Sequence, residues 1–146
     1  MKVQFDLQRF DYIENSTLNT IITGTSYNDT IYNKAGIVTI QGGAGDDSIR
    51  NDADIALIYC GDGNDTVYTP YHSDVTVIGG KGDDSLDVGG HENTTIKYTY
   101  GDGNDTIGWL DSDDTLEITT PKSFSTMKSG DTYYFLFDNA TLAHLT

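Results

Sequence analysis

Five aspartates, Asp29, Asp47, Asp65, Asp84 and Asp105, recur at intervals of 18, 18, 19 and 21 residues. Each sits in a near copy of one segment: GTSYNDTIY (24–32), GGAGDDSIR (42–50), CGDGNDTVY (60–68), GGKGDDSLD (79–87) and YGDGNDTIG (100–108). If one repeat stacks on the next, these carboxylates collect along one edge. Two unit charges ~5 Å apart repel by roughly 3 kcal/mol at an effective dielectric of about 20. A hard cation between them removes that cost, and Lys81 is the one basic residue these turns offer. Ca²⁺ suits such a place because it accepts carboxylate and carbonyl oxygens in forgiving geometries. Gly43, Gly45, Gly61, Gly63, Gly80, Gly82, Gly101 and Gly103 permit the tight curvature that turns carbonyls toward a shared ion. Mg²⁺ demands a smaller, near-octahedral site, and Zn²⁺ demands His or Cys at ligand spacing.

The elements that position these turns follow from a weaker repeat lying midway between them, so that the unit is nine residues and two units make one coil. The eighth position is apolar throughout: Ile31, Ile40, Ile49, Ile58, Val67, Val77, Leu86, Ile96, Ile107 and Leu116. A nine-residue apolar period belongs to no amphipathic helix. It predicts an inward ladder in a solenoid whose short strands carry outward Thr or Ser on the preceding position. Two parallel sheets then face each other across this ladder, and the inserted residues before Val77, Ile96 and Ile107 are expected to bulge at turns without disturbing it.

Composition narrows the function. Acid is supplied by 20 Asp and only 3 Glu, which favours turns over helices. The formal net charge of -15 argues against a nucleic-acid partner. A single cysteine, Cys60, excludes an internal disulfide framework and a thiolate cluster. No run approaches the ~20 apolar residues of a transmembrane helix, and the start has no long apolar core like that of a secretory signal.

The repeat resembles the calcium-binding nonapeptide of the RTX, or haemolysin-type, family, G-G-x-G-x-D-x-U-x. The copies at 42–50 and 79–87 match at every specified position, whereas Cys60 and Tyr100 replace the first glycine and Thr25 and Tyr27 depart further. The resemblance implies a right-handed parallel β-roll of about five coils with capping strands. It also implies Ca²⁺ held between coils by turn backbone oxygens and the motif aspartate. Carried onto this chain, the ligand positions are Gly42, Gly43, Gly45 and Asp47; Cys60, Gly61, Gly63 and Asp65; Gly79, Gly80, Gly82 and Asp84; and Tyr100, Gly101, Gly103 and Asp105. Asp29 and the opposite-side Asp114 are further candidates. Val38, Ala56, Val75 and Thr94 stand at the aspartate place of the second edge, so a one-sided ladder of three or four ions is expected. Asp46, Asp62, Asp83 and Asp102 are read as solvent-facing. In this family the roll serves as a folding switch for secreted or cell-surface bacterial proteins, and type I secretion machinery or an extracellular surface is the implied partner.

The chain divides on this reading into an N-terminal leader and cap (1–23), the repeat roll (24–117) and a C-terminal cap (118–146). Val3, Phe5 and Leu7 alternate with polar residues as a short strand would. Tyr133, Phe135, Phe137, Leu142 and Leu145 are expected to close the far end of the core. Competing chemistry is poorly supported. No EF-hand register is present, no carboxylate pair is singled out for glycosidase work, and His72, His91 and His144 are scattered. Cys60, beside Gly61, is consistent with an exposed thiol. A second reading is a structural or adhesive surface whose outward Thr and Tyr rows, including Tyr32, Tyr59, Tyr68, Tyr98 and Tyr100, contact glycans or proteins.

Overall fold

The computed structural model describes residues 2–4, 11–70, 74–89, 93–120, 123–129, 132–137 and 140–145. Its strands, in chain order, are β1 (Lys2–Gln4), β2 (Tyr12–Asn15), β3 (Thr20–Thr23), β4 (Thr30–Asn33), β5 (Val38–Ala44), β6 (Ser48–Asn51), β7 (Ile55–Asp62), β8 (Thr66–Tyr68), β9 (Asp74–Lys81), β10 (Ser85–Asp87), β11 (Thr95–Thr99), β12 (Thr106–Gly108), β13 (Thr115–Thr119), β14 (Phe124–Ser129), β15 (Thr132–Phe137) and β16 (Ala140–Leu145). The odd strands from β1 to β13 form one parallel sheet. The even strands from β2 to β12 form the other, extended by β16, β15 and β14. The molecule is therefore an all-β parallel roll.

Register follows the nine-residue period. Ile31 pairs with Ile49, Ile49 with Val67, Val67 with Leu86 and Leu86 with Ile107 in one sheet. Ile40 pairs with Ile58, Ile58 with Val77, Val77 with Ile96 and Ile96 with Leu116 in the other. All of these are buried except Leu116, which is partly buried at the end of the stack. The longer 19- and 21-residue repeats leave this ladder in register, because the added residues fall in turns. Each fully buried Ile or Val contributes roughly 1.5–3 kcal/mol of transfer free energy, and alternation turns its neighbours outward.

Two departures from the sequence expectation have physical causes. The stacking begins N-terminal of residue 24: Ile13 pairs with Ile31 and Ile22 with Ile40, both buried, while β1 pairs in parallel with β3. Residues 12–23 thus supply coil strands without carrying the glycine motif, since the ladder needs only an inward Ile and a turn. Phe5 and Leu7 lie outside the described residues. The strands are also unequal. The even strands from β2 to β12 have three or four residues, but β5, β7 and β9 run for seven or eight and carry pairing into the glycines, with Gly43 opposite Gly61 and Gly61 opposite Gly80.

At the C-terminal end the even sheet changes direction. β16 pairs in parallel with β12, and β15 is antiparallel to both β16 and β14. This meander continues the even sheet beyond the last coil. The side chains proposed to close the core, from Tyr133 to Leu145, lie outside those described, as do His72 and His91.

Candidate metal centre

The turn aspartates form a buried ladder. Asp29, Asp47, Asp65, Asp84 and Asp105 are all between 1% and 3% exposed. Each uses Oδ1 to accept the backbone N–H of its counterpart one coil earlier. Asp11 N–H donates to Asp29 at 2.7 Å, Asp29 to Asp47 at 2.7 Å, Asp47 to Asp65 at 2.7 Å, Asp65 to Asp84 at 2.8 Å and Asp84 to Asp105 at 3.1 Å. The main-chain carbonyls of Asp29, Asp47, Asp65 and Asp84 accept in turn from Ser48, Thr66, Ser85 and Thr106 of the next coil. One oxygen of every carboxylate is therefore committed to joining coils. Asp11 is a further member that the sequence reading missed. It precedes Asp29 by 18 residues and lacks the glycines, so the spacing was its only signal.

The second oxygen divides the ladder. Asp47 Oδ2, Asp65 Oδ2 and Asp84 Oδ2 are buried and unpartnered, and Asp11 Oδ2 likewise has no partner. A buried carboxylate oxygen without a donor is costly, on the order of 1–3 kcal/mol or more for a charged group. Two of these oxygens lie against turn glycines. A Cβ on Gly42 would meet Asp47 Oδ2 and Cys60 O, and one on Gly79 would meet Asp84 Oδ2. Carbonyls of one coil also press against the glycine Cα atoms of the next. A side chain on Gly43 would collide with Thr25 O, on Gly61 with Gly43 O, on Gly80 with Gly61 O, on Gly63 with Gly45 O, and on Gly82 with Gly63 O. The glycines serve close approach of stacked coils as well as positive φ.

A protein group completes the first carboxylate of this run, and a tyrosine stands beside the last turn. At the first motif Asp29 Oδ2 accepts from Thr25 N–H at 2.6 Å and from the Thr25 hydroxyl at 3.0 Å, so Thr25 in the glycine position completes Asp29. At the last motif the register corrects the alignment. Lys97 pairs with Ile78, so Tyr98, and not Tyr100, follows in the place of Gly79. Tyr98 is 2% exposed and donates its hydroxyl to Gly103 O at 3.0 Å. The two residues inserted after Tyr98 then let Gly101 swing away from the stack, with no atom within 4 Å of its would-be Cβ, while Gly103 remains stacked on Gly82. The structure thus brings together Gly42, Gly43, Gly45, Asp47, Cys60, Gly61, Gly63, Asp65, Gly79, Gly80, Gly82 and Asp84. It leaves Tyr100 and Gly101 outside. Asp114 lies on the other edge as a cap, accepting Thr94 N–H at 2.8 Å and Asp111 N–H at 2.9 Å.

Burial dominates the electrostatics. It raises the carboxyl of Asp47 to about 7, that of Asp84 to about 6 and that of Asp105 to about 7, and it raises Asp65 as well. The amide donated to each carboxylate opposes the shift, and neighbouring aspartates reinforce it for Asp47, Asp84 and Asp105. Cys60 is fully buried, so its thiol is not exposed as its turn position implied. Its side chain points into the core, and burial with the aspartate ladder pushes its pKa up.

Two neutral or mixed ladders complete the edges, and sequence reasoning found neither. On the solvent side of the motif, Asn28 Oδ1 accepts Asp46 N–H at 2.9 Å, Asp46 Oδ1 accepts Asn64 N–H at 2.9 Å, Asn64 Oδ1 accepts Asp83 N–H at 2.8 Å, and Asp83 Oδ1 accepts Asn104 N–H at 2.8 Å. The strict alternation of Asn and Asp, readable in the fifth motif position, avoids opposing two anions in adjacent coils. On the opposite edge Asn15 Nδ2 donates to Asn33 Oδ1 and Asn33 Nδ2 to Asn51 Oδ1, each at 2.7 Å. Their 18-residue spacing was the available signal.

Among the described residues no group of three or more His, Cys, Asp or Glu side chains is placed to hold a metal. A cation on the glycine edge therefore has to combine one orphaned carboxylate oxygen with backbone oxygens. No protein-family model matches the chain, and no curated protein is significantly similar to it.

Proposed function

We propose that this chain is a calcium-binding β-roll module of the RTX type, in which Ca²⁺ joins successive coils along the glycine edge. The observation that carries this reading is the set of buried, unpartnered oxygens Asp47 Oδ2, Asp65 Oδ2 and Asp84 Oδ2, two of which, those of Asp47 and Asp84, lie against Gly42 and Gly79 of their own turns. Hard carboxylate and carbonyl oxygens are the donor chemistry that Ca²⁺ accepts, in geometries more forgiving than the near-octahedral site Mg²⁺ demands. Asp47, Asp65 and Asp84 would hold the ions together with carbonyls of the 42–45, 60–63 and 79–82 segments. When bound, calcium supplies positive charge to carboxylates that burial otherwise penalises.

The role assigned is structural. Ions that bind stacked coils and not the open chain stabilise folding by mass action. Without them, a chain of net charge -15 resists compaction. A module that orders where calcium is plentiful suits a secreted or cell-surface protein, and export in an unfolded state fits a type I route. The adhesive reading is weakened because the aromatic row is not continuous: Tyr98, expected to face outward, is buried, and Arg50 lies 5.4 Å from the Tyr32 ring and 5.1 Å from the Tyr68 ring, while Tyr59 stays exposed. Thermal unfolding followed by circular dichroism tests the proposal. Calcium added to chelator-treated protein should raise the midpoint by many degrees and magnesium by far less. Equal effects, or none, would rule it out.

A further inference from the structure

The two edges of the roll change character at the same coil boundary. Between the coil of β3 and β4 and the coil of β5 and β6, protein groups satisfy both edges. Thr25 completes Asp29 on one edge, and Asn33 Nδ2 donates to Asn51 Oδ1 at 2.7 Å on the other. The buried amides also bond backbone, Asn33 to Ala35 O at 2.8 Å and Asn51 to Ala53 O at 3.1 Å. At the next boundary, between the coil of β5 and β6 and that of β7 and β8, both closures are missing. Asp47 Oδ2 has no donor, and the place beyond the paired Arg50 and Tyr68, held by Asn51 in one coil, is held by Thr69 in the next. Thr69 is 1% exposed and its hydroxyl is unpartnered. The following coil has Val88 in that place, with Asp65 and Asp84 orphaned on the glycine edge.

We infer that the roll is conditional only from β7 onward: β3 to β6 stack without a cation, and the coils of β7 to β10 require one. This rests on the calcium reading above and adds a direction to it. The preformed coils present β5 and β6 as parallel edges on which β7 and β8 pair when the ion arrives, so ordering runs from the N-terminal coils toward the C-terminal ones. The first coil stands apart from the claim, because Asp11 Oδ2 lacks a partner.

Hydrogen exchange of the full chain, resolved by segment, tests this. In chelator the amides of β3 to β6 should exchange at least about tenfold more slowly than those of β7 to β10, and calcium should slow the second group while barely changing the first. Fast exchange in both groups in chelator, with calcium protecting both, would overturn the inference and leave the calcium reading standing. No calcium effect on β7 to β10 would overturn both. Thr25→Val removes the hydroxyl that completes Asp29. It should speed exchange of β3 to β6 in chelator by about tenfold while β7 to β10 in calcium stay protected, which reports that the variant folds. Unchanged exchange in β3 to β6 would contradict the assigned role of Thr25.

Discussion

Asp47 donates its backbone N–H to the carboxylate of Asp65 at 2.7 Å, so residues 18 apart are joined by a bond in which the acceptor's other oxygen is left buried and unpartnered. The same carboxylate thus links two coils and carries a buried oxygen that no protein donor reaches.

That division predicts an unusual outcome for Asp65→Asn. The asparagine oxygen can keep the bond to Asp47, while an amide replaces the orphaned anion among backbone oxygens. In chelator the variant should be more stable than the parent, by about 1 kcal/mol. In saturating calcium it should be less stable, because one ion is lost. Chemical denaturation under both conditions measures the two signs, and a variant destabilised in both would contradict the ladder's double role.

The raised carboxyls set a pH dependence for the cation-free protein. Asp47 and Asp105 shift from 3.8 to about 7, and Asp84 to about 6. A folded-state pKa above the unfolded value means the folded chain holds more protons in that window. The resulting stability is fully present below the unfolded value and is lost as pH rises through the folded one. In chelator, the unfolding midpoint should fall between about pH 4 and about pH 7, and calcium should flatten or reverse the trend. A midpoint that climbs with pH in chelator would be inconsistent with buried, unpaired carboxylates.

Gly61 and Gly101 both have positive φ, 128° and 100°, yet their surroundings differ. A Cβ on Gly61 collides with Gly43 backbone, while one on Gly101 meets nothing within 4 Å. Gly101→Ala should cost about 1 kcal/mol from backbone strain alone, and Gly61→Ala at least ~3 kcal/mol because whole coils must separate. Equal costs in thermal melts would argue against close backbone stacking.

Ile37 adopts φ of 45°, is 54% exposed, and precedes Val38, which pairs with Thr20. The equivalent place before Thr20 is Asn19 at φ 53°, and Asn93 at φ 62° precedes the next odd strand but two. Asparagine tolerates this conformation and β-branched residues do not. Ile37→Asn should therefore stabilise the protein by about 0.5–1 kcal/mol, measurable as a higher melting midpoint. A loss of stability would mean that the isoleucine makes apolar contacts outweighing its backbone strain.

The inward ladder was legible because it depends on one apolar residue every nine positions, and the pairing of Ile58 with Val77 shows that a one-residue insertion does not erase it. The aspartates were legible as a row, but their capping bonds were not, since nothing in the spacing says which oxygen meets an amide. Tyr98 was misread through its neighbour because YGDGND imitates the motif two residues out of structural register. Asp11 and the Asn15, Asn33 and Asn51 row were overlooked for the opposite reason: they keep the 18-residue interval without the glycines that draw attention to it.

Isothermal titration of chelator-stripped protein with calcium tests the central claim most directly. With Thr25 completing Asp29, the buried, unpartnered oxygens of Asp47, Asp65 and Asp84 predict uptake of three ions per chain. Asp65→Asn should lower that number. Absence of binding heat across the titration, together with an unchanged unfolding midpoint, would contradict the account.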